Sequence, residues 1–594
     1  MTTNNKLAAL RQKMKERGLQ AYVIFSSDPH GSEYVSGHWR CRSWFSGFSG
    51  SAGTVIVTLE EAGLWTDFRY FIQAAGELSG SDIKLFKMGE PGVPSYIDWL
   101  TEHLEAGSVV GMDGRTLTLR EWEAMAAPFG SKQIRIDGQD DLIDELWGDR
   151  PAESLEPVWA LGDEESGQTS LEKVKQIRRM MHQSAVDATL ISSLDDIAWI
   201  LNIRGGDVPY NPVVQSYMYL SMEDVKWYVD ERKLDDNIRS LLKSIGVQVF
   251  PYAHILQSLS ALDSRMTLFV SPERSNSTLI SALPEGIKLV KGVDFSTRLK
   301  ACKNPVELSR IRSVMEKDGV ALVKFIIWLK KELQQGTLTE LQAANALRGF
   351  RSEQDGFLGE SFSPIPAYKG HGAICHYEAN EQSQYQLEKG SLFLIDSGGQ
   401  YREGTTDVTR TLALGTPVER EIIDYTLVLK GHIALSRALF PEGTRGYQLD
   451  TLARTALWNS GLNYGHGTGH GVGYILNVHE GPQKISPHPI DEALKIGMVC
   501  SNEPGIYRED QHGIRIENLL VVQPWDQCPE NDPFYKFETL TLCPYERELI
   551  DTSLLNNEEK NWVNAYQEEV YNRLSPYLNA SEKDWLRKVT LEIN

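Results

Sequence analysis

Apolar and polar positions change period along this chain in a repeating way. At the N-terminus, MTTNNKLAALRQKMKERGLQ places Leu7, Leu10 and Met14 on one stripe at helical spacing, which predicts a surface helix. Short β-branched and aromatic runs follow, AYVIF, GTVIVT and AGLWTDFRYFIQAA. The pattern then starts again. A basic helical stretch, SLEKVKQIRRMMHQ, precedes ATLIS, SLDDIAWILNIRGG, SYMYLSM and VKWYVDERKL. Helices alternating with short strand-like runs predict α/β layers, and the parallel between the stretches points to two versions of one unit. Further on, PVELSRIRSVMEKDGVALVKFIIWLKKELQQG carries apolar positions at helical spacing, with Gly336 as its stop. From Asn556 the chain reads as another helix. Asn556 and Glu559 form a capping box, and Trp562, Tyr566 and Val570 share a packing face.

A Pro-, Glu- and Gly-rich stretch, Asp149–Gln168, reads as a linker, and a second boundary falls near Lys300–Pro305. The expected division is 1–155, 156–302 and 303–594, with a helical tail over about 550–594. A chain of 594 residues is too long for one core, in keeping with roughly two to four domains. Hydrophobic residues at 41% and charged residues at 24% are ordinary for a globular protein. No apolar run is long enough to span a bilayer, and the N-terminus lacks the apolar core of a signal peptide, so no membrane partner is expected. Cys41, Cys302, Cys375, Cys500, Cys528 and Cys543 are scattered without a CxxC pair, unlike a secreted disulfide scaffold, and favour a cytoplasmic location. The net charge of −21 repels phosphate backbones and argues against nucleic acid.

The chemistry concentrates after residue 303. In SLFLIDSGGQYREGTTDVTRTLAL two apolar runs flank a polar, glycine-containing turn, a hairpin pattern. Asp396 and Asp407 lie equally far from a centre between Tyr401 and Arg402, so a regular hairpin would set them face to face. In GMVCSNEPGIYREDQHGIRIENLLVV, Glu503 and Glu517 are symmetric about Asp510. One such pair reads as solvated acids decorating a turn. Two pairs set in apolar strand sequence (FLID, IRIE) call for a counter-charge, and buried carboxylates are paired or metal-bound. The third constellation, YGHGTGHGVGYILNVHEGP, has five glycines between 465 and 473, which disfavours a helix. In an extended chain His466 and His470 share a face, and His479 follows nine residues after His470. Four carboxylates with histidine suit two divalent cations, manganese, cobalt or zinc. Two such ions roughly 3.5–4 Å apart share a bridging hydroxide in many hydrolytic sites. There is no HExxH helix, GxSxG elbow or phosphate-binding P-loop. The pair Cys375–His376 is read as accidental, since neighbours in a strand point opposite ways.

The order Asp396, Asp407, His470, Glu503, Glu517, within GTTDVTRT, GHGTGHGVG, NVHEGP, NEPG and GIRIEN, resembles the metallopeptidase family with the pita-bread fold. Within it the chain is most similar to the long, three-domain Xaa-Pro aminopeptidases, over almost its whole length, including SLDDIAWILNIRG and SGSAGTVIV…LWTDFRYFIQAA. The resemblance implies an α/β architecture of two creatinase-like N-terminal domains and a pita-bread catalytic domain of two similar halves around a dimetal site. It implies Asp396 on one cation, His470 and Glu503 on the other, and Asp407 and Glu517 as bridges, with manganese the usual metal and a homodimer common. His376 in HYEAN matches a substrate-binding histidine. His466 and His479 match histidines that line the proline pocket and stabilise the reacting carbonyl. Tyr507 and Arg515 match supporting residues, and Arg69 in WTDFRYF matches a substrate-contacting arginine. Glu378-Ala379-Asn380 departs from the family's commoner Ala-Pro sequence there.

The implied activity is hydrolysis of the bond before a penultimate proline, with catalytic residues His376, His479 and Glu503. Substrates would be peptides beginning Xaa-Pro. A dipeptidase of the same fold, restricted to free Xaa-Pro, shares this ligand pattern. A non-catalytic peptide-binding relative, or a metal-free hydrolase such as creatinase, should lack part of the ligand set.

Overall fold

The computed structural model describes residues 1–334, 336, 338–527 and 532–594; Cys528 therefore lies outside the described residues. The chain forms two compact units, one of residues 1–163 and 168–297, the other of 164–167 and 298–594.

The first unit contains two six-stranded sheets. In the first, the order is Lys84–Lys87, Ala62–Thr66, Thr54–Thr58, Ala21–Ile24, Val109–Met112, Arg135–Asp137. In the second it is Val247–Pro251, Val225–Val229, Ser216–Ser221, Ala188–Ile191, Thr267–Val270, Lys288–Lys291. Both sheets run parallel, antiparallel, antiparallel, parallel, parallel across successive pairs. The same strand order and the same pairing senses recur, so the duplication read from the hydrophobic pattern is present in the topology. The leading helices explain themselves locally. Thr3–Arg17 buries Leu7, Leu10 and Met14 and closes on Gly18 at φ 71°. Ser170–Gln183 starts from a Thr169–Glu172 capping box.

The second unit has two helix–sheet halves. Helices Pro305–Glu332 and Glu340–Ser352 precede the antiparallel strands Ile365–Tyr368, Leu392–Ser397 and Val408–Ala413. Helices Glu419–Ser436 and Gly446–Trp458 precede most of a six-stranded sheet. Its order is Leu439–Pro441, Phe534–Thr539, Asn518–Pro524, Val499–Asn502, Gly469–Gly471, Glu480–Ile485. The helix Pro305–Glu332 is nucleated by an Asn304–Glu307 capping box with proline in its first turn. It stops at Glu332 instead of continuing to Gly336, because Leu333 turns into an apolar cluster with Leu329 and Leu338. In the tail, Asn557–Leu574 has the expected Asn556–Glu559 box, and Tyr566 and Val570 are buried. Trp562 packs against the same cluster and stacks on Tyr566 at 5.6 Å.

Candidate active site

The second hairpin follows the sequence symmetry. Pairs Val499↔Val521 through Asn502↔Asn518, and then Gly505↔Arg515 through Arg508↔His512, share one register about Asp510. Glu503 and Glu517 fall opposite each other in the gap between these two ladders. Both gaps are closed from outside: Glu503 N–H donates to Thr468 O (2.8 Å), and Glu517 N–H to Thr409 O (3.1 Å). The backbone thus ties this hairpin to the two other constellations.

The first hairpin departs from the symmetric count. Gln400 pairs with Thr405 and Tyr401 with Gly404, which puts the turn at Arg402–Glu403, one residue beyond the expected centre. Asp396 therefore faces Thr409, not Asp407. Both ladders of this hairpin, Leu392↔Ala413 to Ser397↔Val408 and Gln400↔Thr405 to Tyr401↔Gly404, share that centre even though the strand changes sheets after Ser397; the two aspartates are not symmetric about it. Asp407 lies two residues before Thr409. In a strand of period two it keeps the face of Asp396, as its diagonal neighbour.

The histidine loop is held by close backbone contact. A Cβ on Gly469 would lie 2.0 Å from Ser501 O, so only glycine lets this strand dock beside the second hairpin. His470 Nε2 then sits 3.4 Å from Asp407 Oδ2 and 3.5 Å from Glu503 Oε1. His470, Asp407 and Glu517 each offer a ligand atom within 4.8 Å of one another. His466 Nδ1 is 4.0 Å from Glu503 Oε2, and the His479 ring meets the His470 ring edge to face at 4.3 Å. The expected common orientation of His466 and His470 is thus realised around Glu503.

Arg515 joins the two acid pairs. Its guanidinium donates to Asp396 Oδ2 (2.6 Å), Tyr507 Oη (2.8 Å) and Thr409 Oγ1 (3.3 Å). Tyr507 Oη is 2.7 Å from His466 Nε2, and Thr409 Oγ1 donates to Glu517 Oε2 (2.7 Å). Burial, together with the nearby Asp407, raises the Asp396 carboxyl against the pull of Arg515. Burial and then Asp407, Asp396 and Glu503 raise Glu517 well above the carboxylate range. Burial lifts Glu503 to about 7, although His470 and Arg515 oppose it. Burial disfavours a charged His470, yet Asp407 and Glu503 outweigh it and hold the imidazole up at about 9. Four carboxylates thus crowd one guanidinium and one imidazole. Among the described residues Asp396 Oδ1 is buried without a hydrogen-bond partner. Hard-oxygen donors, one imidazole and an excess of negative charge fit divalent cations.

His376 is half-buried in the turn after Lys369–Ala373. That turn lies on the second hairpin, where a Cβ on Gly513 would come 1.6 Å from Gly372 O. Cys375 is buried beside it, in a turn and not in a strand. Arg69 belongs to the first unit, where it forms a fork on Asp67 (2.7 Å to each carboxylate oxygen). Two residues of the site escaped the sequence reading, Thr409 and Arg410. Arg410 is fully buried. It donates to Thr409 O (2.9 Å), Glu517 O (2.7 Å), Asn518 Oδ1 (2.8 Å), Cys543 O (2.7 Å), Pro544 O (3.2 Å) and Tyr566 Oη (3.0 Å). Strand alternation carried a signal for it: Arg410 shares the apolar face of Val408 and Leu412, where a solitary cation must find partners.

Fold and site together define a metallopeptidase. Residues 309–524 match metallopeptidase family M24, and residues 533–593 match the C-terminal region of that family. Residues 6–146 and 149–307 each match a creatinase/prolidase N-terminal domain. Full-length relatives narrow this further. The probable Xaa-Pro aminopeptidase P of Laccaria bicolor is 40% identical over 99% of this chain and 93% of its own length. Xaa-Pro aminopeptidase 1 of Dictyostelium discoideum is 39% identical over 98% and 96%. The crystal structure of X-prolyl aminopeptidase from Caenorhabditis elegans, described as a cytosolic enzyme with a di-nuclear active site, superposes with a TM-score of 0.96. It is 38% identical and covers the whole of both chains. The chain belongs to the Xaa-Pro aminopeptidases of family M24.

Proposed function

We propose that this enzyme removes the N-terminal residue from peptides whose second residue is proline, using two divalent cations, manganese by preference and zinc or cobalt as alternatives. The observation that carries the reading is the convergence of Asp407, His470, Glu503 and Glu517, joined to Asp396 through Arg515. When bound, the cations supply a hydroxide nucleophile at neutral pH and a positive counter-charge for the carbonyl oxygen. In this reading Asp396 serves one cation, His470 and Glu503 the other, and Asp407 and Glu517 both. Glu503 accepts a proton at its carboxylate and returns it to the proline nitrogen. His479 or His376 donates to the developing oxyanion, His466 and His479 line the proline pocket, and Tyr507 supports them. Arg515 holds Asp396 and Tyr507, and Arg69 contacts the substrate.

We further assign three domains, 1–155, 156–302 and 303–594, the last with a helical tail over about 550–594. A cytoplasmic location and a homodimer complete the reading. The dipeptidase alternative is less favoured. The prolidase of Pyrococcus horikoshii, at 25% identity and a TM-score of 0.50, covers 64% of this chain, whereas the aminopeptidase structure covers all of it.

The test is hydrolysis of Arg-Pro-Pro, Arg-Pro and Arg-Ala-Ala after chelation, with and without manganese. The expected result is manganese-dependent arginine release from Arg-Pro-Pro with little from Arg-Ala-Ala. Cleavage of Arg-Pro alone would make the enzyme a dipeptidase. Inactivity of folded, metal-loaded protein on all three would overturn the proposal.

A further inference from the structure

The loop between His470 and His479 is built under strain. Ile475, fully buried and β-branched, sits at φ 52°, a left-handed conformation that such residues rarely adopt. A residue stays there only when its surroundings over-determine it. The restraint comes from the tip of the first hairpin. Gln400, itself buried, donates from Nε2 to the Leu476 carbonyl at 2.8 Å, one residue after the strained position. Thr405 Oγ1 donates to Gln400 Oε1 at 2.8 Å, which fixes which end of the amide points at the loop. The same hydroxyl lies 3.2 Å from the Leu476 carbonyl. Beyond Leu476 the constraint is handed on. Gly473 N–H donates to Asn477 O (3.0 Å), and Asn477 Nδ2 donates to His479 O (3.1 Å). His479 then meets the His470 ring at 83°.

We propose that Gln400 is a positioning residue for His479. It pins the Leu476 carbonyl, holds the left-handed turn at Ile475, and so sets the His479 ring against His470. The hairpin that brings Asp396 and Asp407 into the site thereby also aims a histidine that follows it by some 80 residues. Gln400 touches no reacting atom; its effect passes through the loop. The inference rests on the reading above that His479 acts on the substrate.

The test is a double-mutant cycle on manganese-loaded, full-length protein with Arg-Pro-Pro, reading kcat, KM and bound manganese separately. Gln400→Met keeps the size of the side chain and removes the amide. The expected result is a fall in kcat of between about ten- and a hundred-fold, the scale set by small misplacements of a catalytic group. KM should move less, and manganese content should be unchanged. In a His479→Ala background Gln400→Met should cost nothing further, since the residue it positions is gone. Thr405→Val, which removes the hydroxyl that orients the amide together with its own contact to the Leu476 carbonyl, should give a smaller fall that also vanishes in the His479→Ala background. It decides the matter should Gln400→Met not fold. The proposal is overturned if these variants keep wild-type kcat, if their losses multiply with that of His479→Ala, or if they lose manganese. A His479→Ala enzyme with wild-type kcat would show that the reading of His479 itself is wrong, and the proposal would fall with it. An impaired His479→Ala enzyme beside an unimpaired Gln400→Met one would sink the positioning role alone.

Discussion

Cation removal is the perturbation for which the structure makes the sharpest demand. Asp396, Glu503 and Glu517 all have carboxyls raised by burial and by neighbouring carboxylates, Asp407 in every case. Without cations, folding must bring these groups together against their own repulsion, with Arg515 and His470 as the nearby positive groups. A ligand that binds only the folded state stabilises it by RT ln(1 + [L]/Kd), about 2.7 kcal/mol per site at a hundred times Kd. For a unit of this size the unfolding entropy makes each kcal/mol move the midpoint by about 1.5–2 °C. One bound cation should therefore raise the melting temperature of the unit containing residues 298–594 by about 4–5 °C, and a second should add to it. The assay is calorimetry on chelated protein titrated with manganese, alongside Asp407→Asn. Asp407 contributes one of the three ligand atoms within 4.8 Å, so its amide variant should lose most of the increment. If chelated and manganese-saturated wild-type protein unfold within about 1 °C of each other, the acid cluster is not a cation site.

Three further outcomes follow from named contacts. Glu503→Gln keeps the shape of the side chain but cannot take up a proton, so kcat on Arg-Pro-Pro should fall by about 10²–10⁴-fold at unchanged secondary structure; near-wild-type turnover would remove the proton-transfer role. Arg410→Met leaves six neutral acceptors facing an apolar side chain and should cost at least roughly 1–3 kcal/mol in urea unfolding, the penalty of one unsatisfied buried group, with a loss under about 1 kcal/mol showing that the buried guanidinium is dispensable. His432 is buried between Asn502 O and Tyr545 Oη (3.0 Å each), and burial, then Arg410, depress its pKa to about 3. Below pH 6.5 the unfolded chain takes up a proton that the folded one refuses, so this contribution is present above pH 6.5 and is lost as pH falls, by about 1.4 kcal/mol per unit. The stability gap between wild type and His432→Asn should shrink by about 2 kcal/mol from pH 6.5 to pH 5, and a constant gap would contradict the assignment.

Much of the architecture was legible because it is local. The capping box at Asn556 needs only a side chain and a backbone three residues apart. The second hairpin kept the register that its sequence symmetry demands, because both of its ladders share one centre at Asp510. The first hairpin also keeps one register through both of its ladders, but its turn at Arg402–Glu403 sets the centre one residue past the midpoint of Asp396 and Asp407, so the two acids meet diagonally.

The sequence by itself determined the chemistry available: two pairs of acids in apolar strands, three histidines among glycines, and two repeats of one α/β unit. Period and spacing carry that information, since side-chain direction in strands and helices is a local property. Only the tertiary structure decided which atoms meet. Thr409 against Glu517, Arg515 against Asp396, Arg410 against Glu517, and Gln400 against Leu476 join residues some 75 to 120 positions apart. Each is a polar group that had to find a partner once packing closed water out, and no local pattern specifies where that partner lies.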